Sequence, residues 1–509
     1  MERKDSQNQI DGDSNSFKKI LIIGAGMHGM LAARYLSQLK NVKITVIDSK
    51  SEVGGLWVYS EINEFHPQAA EEKQIDNFYK LYNCFQSSMY PHLIANMPLP
   101  LMSFKDFSIR DANPKAPNFV RLNEYKDYFK AYWNHFDIYK YITFNTLVKS
   151  IRIYDNLPLE TKLKISAECQ PRTFVVTTID SRAESFSQNE KIDTYDYVIA
   201  ASGQHSKPYI PQVKGISDFK GVVMHSKEFR EPDEAMYIDK TILVLGGSYS
   251  ALDMIVQLYH NPVKGKQRVN KLIMCARDLT MMEKSTDFKP LIEAGKVVLK
   301  KGWVDSFTEN TAVFTDGTQE TVDTVIFCTG YQISFPYLDP EDKLIEYGDE
   351  ATRGKFFGPI YRRTVCIRQP QLFFIGICTV SNLCNYISEL QAMLIKHYIE
   401  GSIPLPSKEE MMEDFEAEVE EVRKRDGNLI NFFRLENLRL AMAFLNRLRE
   451  PMKNLYEGSE DKAAKNFEIY EKIIEKATEF LTAGDFLQYK EFDYCKNYCK
   501  ELKNTSEFI

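Results

Sequence analysis

Three glycines, Gly24, Gly26 and Gly29, carry the first chemistry legible in this sequence. They lie between an apolar run, "FKKILII", and an alanine-rich segment, "MLAARYLSQ"; a second apolar run, "VKITVIDS", follows and closes on Asp48. Strand, tight glycine turn, helix and a second strand ending in an acid form the setting in which G-x-G-x-x-G binds a dinucleotide. The first glycine allows the turn, the second lets backbone approach a pyrophosphate, and the third lets helix and strand pack closely. The N–H groups at the helix start then face the phosphates. Asp48 is placed to accept hydrogen bonds from ribose hydroxyls.

A second unit, "KTILVLGGSYSALDMIVQLYH", repeats the arrangement less strictly. Gly246 opens its turn, Ser248 and Ala251 replace the second and third glycines, and Tyr249 and Ser250 lie between them. Serine and alanine are small enough to keep a close approach open. The next strand, "KLIMCAR", ends on Arg277 with no acid at the ribose position, although Asp278 is adjacent. An arginine there suits a 2′-phosphate, which favours NADPH over NADH. Two dinucleotide units on one chain imply two nucleotides that exchange electrons. A pyridine nucleotide–disulfide reductase would also need a redox-active cysteine pair after the first unit, and none follows it.

The elements that must position these turns set the outline. With 509 residues, 44% hydrophobic and 27% charged, the chain has the composition of an ordinary globular protein. A formal net charge of −7, with no basic block, argues against nucleic acid as a partner. No apolar run is long enough to cross a bilayer, and the polar start "MERKDSQNQIDGDSNSFKK" has no signal core, so a cytoplasmic protein is expected. The nine cysteines are odd in number and scattered, as reduced intracellular thiols are. Cys495 and Cys499 could share a helix face, but no neighbouring ligand completes a metal site, and none is expected.

The reading is an α/β chain of two Rossmann-like dinucleotide-binding domains, the second inserted into the first, with a helical C-terminal extension. Residues 1–17 are a disordered tail, 18–207 and 332–404 the two parts of the first domain, and 208–331 the inserted domain. Residues 405–509 form the extension, whose helices cover the sheet or meet a partner. "YDYVIAASG" and "VDTVIFCTGY" flank the insert, "TDG" reads as a hairpin turn, and "QLFFIGI" is a strand returning to the first sheet. The crossings between domains fall near residues 207 and 331.

Between them lies "DFKGVVMHSKEFR", with Phe219, Gly221, His225 and Phe229 at a spacing that fits neither a helix nor a strand. The pattern F-x-G-x-x-x-H-x-x-x-F resembles the identifying motif of the flavin-containing monooxygenases. Baeyer–Villiger relatives carry tryptophan at the last position, so Phe229 favours oxygenation of nitrogen or sulfur. "EVGGLW", with Gly55, Leu56 and Trp57, resembles that family's segment near the flavin. In "MYPHLIANMPLPLMSFKDF", Leu93, Asn96, Pro98, Phe104 and Asp106 match its active-site stretch. "CTGY", "YSALDM" and "QAMLIKHYIEGSIPLPSKEEM" look like its trimethylamine monooxygenase branch. Two departures bear on the substrate: Leu99 and Leu101 stand where a lysine is frequent, and Cys378 and Thr379 replace a polar pair.

The resemblance implies FAD in the first domain and NADPH in the second. Reduced flavin would capture oxygen as a hydroperoxide, whose distal oxygen a small amine or sulfide attacks. Such a nucleophile needs little activation, so the protein's tasks are to hold cofactors and exclude water. Asn96, a neutral amide, is the candidate catalytic residue and would also touch cofactor. His225 reads as an anchor for its segment rather than a base. The alternatives are a non-catalytic or oxidase-like flavoprotein acting through a partner, or a hydroxylase of another amine. On assembly the sequence says little; a homodimer is the commonest arrangement.

Overall fold

The computed structural model describes residues 17–59, 87–95, 97, 99–104, 106–182, 190–232, 234–260, 269–283, 289–378, 384–435, 438–452 and 455. The expected N-terminal tail, Asn96, the pair Cys495 and Cys499, and the helices expected after residue 456 lie outside them.

The first nucleotide unit forms as its sequence requires. Strand β1 (Lys18–Ile23), helix α1 (Met27–Leu36) and strand β2 (Val42–Ile47) follow one another, and β1 pairs in parallel with β2. Helix α2 (Leu122–His135) covers the sheet with an aromatic face in which Tyr125, Tyr128, Phe129, Tyr132 and Trp133 are buried. Strands β3 (Ile142–Thr143) and β4 (Tyr197–Ala200) extend the sheet on either side. Both faces are covered, which is why β1 reads as an unbroken apolar run.

The chain then builds a second sheet from β5 (Val222–His225), β6 (Thr241–Leu245), β7 (Lys271–Ala276), β8 (Val297–Lys301) and β9 (Thr324–Phe327), with helix α3 (Tyr249–His260) after β6. Every pairing in it is parallel, in the order β8-β7-β6-β9-β5. The "TDG" turn joins the antiparallel strands Thr311–Phe314 and Gln319–Thr321.

The chain returns through β10 (Ile360–Tyr361), β11 (Val365–Cys366) and β12 (Leu372–Phe374), giving a seven-stranded first sheet in the order β10-β11-β12-β4-β1-β2-β3. The two crossings pair with each other: Lys207–Pro208 lies antiparallel to Tyr331–Gln332, and Tyr209 N–H donates to Gly330 O at 2.8 Å. The sheets are thus joined by a two-stranded ribbon rather than two independent linkers.

Helices α4 (Cys384–Glu400), α5 (Lys408–Asp426) and α6 (Leu438–Arg449) complete the described chain. Phe432 and Phe433 pack on Phe356 and Phe357, and Phe357 packs in turn on Phe374 of β12, so this part of the extension covers the first sheet. Buried Arg363 fixes it there, paired with Glu418 at 2.9 Å and stacked near Phe444.

Candidate active site

In an open parallel sheet, ligands bind beyond the carboxyl ends of strands where the strand order reverses. In the first sheet that point is the end of β1, which has β2 on one side and β4 on the other; in the second it is the end of β6, between β7 and β9. Gly24 and Gly246 are the residues that follow these strands.

The first turn is tightly built. Gly24 adopts a φ of +106° and donates its N–H to Ile47 O at 2.8 Å. A methyl group on Gly29 would stand 1.8 Å from Gly24 O, so helix and turn touch only because Gly29 has no side chain. Gly26, the N-cap of α1, has no side-chain cap, and no acid lies in the helix's first turn. The unclaimed N–H groups and dipole of this helix start suit a pyrophosphate.

A second turn leans against the first. Gly54 N–H donates to Ala25 O at 3.1 Å, and a Cβ on Gly55 would meet Gly26 Cα at 2.9 Å. Lys50, which no motif marked, holds this turn through its ammonium, donating to Gly55 O at 2.8 Å and Val58 O at 3.1 Å. Leu56 O accepts from the Ser87 hydroxyl, and Trp57 packs edge-on against Tyr125 at 4.5 Å. Gly29 thus touches Gly24, and Gly55 touches Gly26, with Leu56 and Trp57 continuing the second turn.

Asp48 joins them differently from the expectation. One carboxylate oxygen accepts from Ala25 N–H at 2.6 Å and the other from Lys50 N–H at 2.8 Å. Burial raises its pKa, against the lowering effect of these bonds. The carboxylate braces the turn itself, and any ribose contact must use its remaining lone pairs.

The second turn is more open. Gly246 has a φ of +144°, and a Cβ there would lie 2.4 Å from Cys328 O. Gly247, unmarked by the sequence pattern, is as constrained: a Cβ would meet Asp278 O at 2.4 Å. The doubled glycine was the available signal. Ser248, Tyr249 and Ser250 are exposed at the start of α3, which carries no acid in its first turn. Arg277, exposed at the end of β7, lies with its guanidinium 6.0 Å from the Trp303 ring centre. These residues fit a phosphate-bearing nucleotide that approaches from solvent.

The F-x-G-x-x-x-H-x-x-x-F segment now acquires physical content. Phe219 and Phe229 are buried. A Cβ on Gly221 would strike Asp323 O at 2.3 Å and the Phe219 ring at 2.5 Å, so close approach demands the glycine. His225 Nδ1 accepts from Lys227 N–H at 3.1 Å, which makes Nε2–H the donor to Gly330 O at 3.1 Å. Burial pulls this imidazole down to about 3. It is a neutral pin joining the motif to the second crossing. Tyr331 stacks edge-on against both His225 and His205.

The neighbours of Asn96 are described. Ala95 and Met97 are buried, and Ala95 N–H donates to Val120 O at 2.8 Å. Leu99 and Phe104 are buried, and Asp106 lies 3.8 Å from Arg34. Cys378 is buried and its carbonyl accepts from Gln204 at 3.4 Å; Thr379 lies outside the described residues.

Comparison with known proteins agrees with this architecture. The profile of the family described as flavin-binding monooxygenase-like matches residues 17–267 and 270–432. The chain belongs to that family. It is 27% identical over 423 residues to a senecionine N-oxygenase of Tyria jacobaeae, covering 81% of this chain and 78% of that protein. A trimethylamine monooxygenase of Pelagibacter ubique is 28% identical over 423 residues, with coverage of 81% and 83%. Among solved structures, S-allyl-L-cysteine S-oxygenase from Allium sativum shares the fold with a TM-score of 0.70 at 20% identity, covering 97% of this chain and 99% of that one. This flavin monooxygenase therefore uses FAD, NADPH and oxygen, and has two dinucleotide-binding domains. Among the described residues no helix is long and apolar enough to cross a membrane.

Proposed function

We propose that this monooxygenase oxygenates the nitrogen or sulfur of a small, trimethylamine-like amine or sulfide in the cytoplasm, and that it assembles as a homodimer. FAD would be held by Gly24, Gly26, Gly29, Asp48, Gly55, Leu56 and Trp57 in a domain comprising residues 18–207 and 332–404. NADPH would be held by Gly246, Ser248, Tyr249, Ser250 and Arg277 in the domain spanning 208–331. When bound, these cofactors supply the hydride and the activation of oxygen. The substrate's own lone pair supplies the nucleophile, so substrate, oxygen, NADPH and a proton give the oxide, NADP⁺ and water.

The observation that carries this reading is the contrast between the two turns. Both are closed by backbone approaches that tolerate no Cβ, but the second alone presents exposed Ser248, Tyr249 and Ser250 beside an arginine at the position suited to a 2′-phosphate. The N-oxygenating activity named for the senecionine relative, and the amine named as substrate of the other, support nitrogen as the target. The chain's remaining tasks are orientation and exclusion of water. Asn96, in a segment anchored by buried neighbours, offers an amide that donates a hydrogen bond without releasing a proton at neutral pH.

The test is aerobic turnover of NADPH with trimethylamine or a thioether, with the oxide quantified. Asn96→Ala is expected to keep its FAD and lose most product. Unchanged product formation would remove Asn96 from the catalytic role, and no oxide with either substrate would overturn the substrate assignment.

A further inference from the structure

The segment Ser87–Ile94, which leads directly to Asn96, is held along its length by groups that lie far away in sequence. At its start the Ser87 hydroxyl donates to Leu56 O, in the turn that leans on the first phosphate loop. The Ser87 carbonyl accepts from Arg230 Nη2 at 3.2 Å. Tyr90 is buried in the core of the second sheet and meets Phe229 edge-on at 5.1 Å. His92 Nε2 lies 2.9 Å from Glu231 Oε2. The strap ends on the first domain, where Ile94 bridges Arg121.

Consecutive residues of the inserted domain thus grip three separate positions of a strap from the other domain: Phe229 takes Tyr90, Arg230 takes Ser87 and Glu231 takes His92. Arg230 is the centre of the grip. Its side chain is 5% exposed, and Nη1 donates to Lys227 O and Phe229 O, each at 2.8 Å. The same planar fork therefore fixes the local backbone and reaches across to the strap, with its Cζ 5.8 Å from the Tyr59 ring centre. A planar, always-charged fork that spans carbonyls from two chain segments is a geometry lysine cannot reproduce.

We propose that Arg230 is a positioning residue: it transmits the placement of the NADPH domain to the strap, which leads into the active-site stretch of the sequence. The inference rests on the monooxygenase reading, but it is independent of whether Asn96 itself is catalytic. Loss of the grip lets the strap shift while both glycine turns remain intact. Flavin is still reduced, but the oxygenating geometry is lost. The hydride and oxygen then leave as hydrogen peroxide (NADPH, a proton and O₂ giving NADP⁺ and H₂O₂) rather than as product and water.

The experiment compares product formed per NADPH consumed, and peroxide released, for wild type, Arg230→Ala and Arg230→Lys. Arg230→Ala should retain FAD and reducibility by NADPH, while the product-to-NADPH ratio falls about 10- to 100-fold, as a displacement of about 1 Å costs. Arg230→Lys should recover part of the ratio, since an ammonium can reach only some of the carbonyls. A merely structural role would lower yield or melting temperature and leave the ratio unchanged, and that result overturns the proposal. If Arg230→Ala fails to fold, Tyr90→Leu and Glu231→Gln release the strap elsewhere; a wild-type ratio in both likewise overturns it. Asn96→Ala is run in parallel. Full coupling there beside uncoupling at Arg230 refutes the Asn96 assignment alone, and the reverse refutes the strap.

Discussion

Gly29→Ala should separate FAD binding from folding. The added Cβ would sit 1.8 Å from Gly24 O, 3.0 Å from Gly24 C and 3.4 Å from Ile22 Cγ2. A relaxed C···O contact is about 3.3 Å, so helix and turn must part by about 1.5 Å. Neither yields freely. Gly24 is tied to Ile47 O through its N–H at 2.8 Å. Helix α1 is fixed through buried Met30, Leu31, Ala32 and Ala33, and through Tyr35, whose hydroxyl donates to Glu389 at 2.5 Å. The overpacking alone costs about 1–3 kcal/mol of stability.

The larger effect falls on the ligand. A helix start displaced by that distance loses its hydrogen bonds to a diphosphate, each worth about 1.5–3 kcal/mol. Losing two weakens FAD by roughly 3–6 kcal/mol, at least about 100-fold in Kd. The assay titrates apoprotein with FAD and follows quenching of flavin fluorescence, with circular dichroism to confirm folding. NADPH affinity at the second turn serves as the internal control. A folded variant with unchanged FAD affinity would refute the reasoning, because it would show that the turn does not depend on this contact.

Arg277→Ala should weaken NADPH about 10- to 100-fold, the worth of one charge-assisted phosphate contact, and leave NADH nearly unchanged in equilibrium titrations. Equal losses would show that the arginine does not read the 2′-phosphate. His225, held down to about 3 by burial, stays neutral in the folded chain while the unfolded chain protonates near 6.5, so stability is present above that value and lost as pH falls toward 3. His225→Gln should therefore lose about 2 kcal/mol less stability than wild type between pH 7 and pH 5, measured by urea denaturation. Glu228, raised to about 8 by burial, titrates in the opposite sense in both proteins and cancels in that comparison.

What the sequence made legible was local. The strand–turn–helix units at Gly24 and Gly246 showed because a parallel strand buried on both faces and a glycine turn are both written in consecutive residues. The return of "QLFFIGI" to the first sheet and the "TDG" hairpin were visible for the same reason. The contacts made by Asp48 were not, because they depend on the next turn folding back against Ala25. The pairing of the two crossings joins Lys207 to Gln332, and the grip of Arg230 on Ser87 spans 143 residues. No periodicity encodes such closures. The aromatic at Phe229 looked like a family signature; its physical reason is Tyr90, a residue of the other domain.

The two nucleotide turns differ where their tasks differ. At the first, three backbone approaches that tolerate no Cβ hold the loop: Gly29 on Gly24, Gly24 on Ala201, and Gly55 on Gly26. A cofactor that stays bound through turnover benefits from such a preorganised cradle, since little ordering remains to oppose binding. At the second, Gly246 on Cys328 and Gly247 on Asp278 are equally intolerant of a Cβ, but Ala251 replaces the third glycine, and Ser248, Tyr249 and Ser250 stand exposed. A nucleotide that must be exchanged in each cycle needs an open approach and a moderate grip. The sequence departures that make the second pattern look degraded are thus the ones expected of a site whose ligand has to leave.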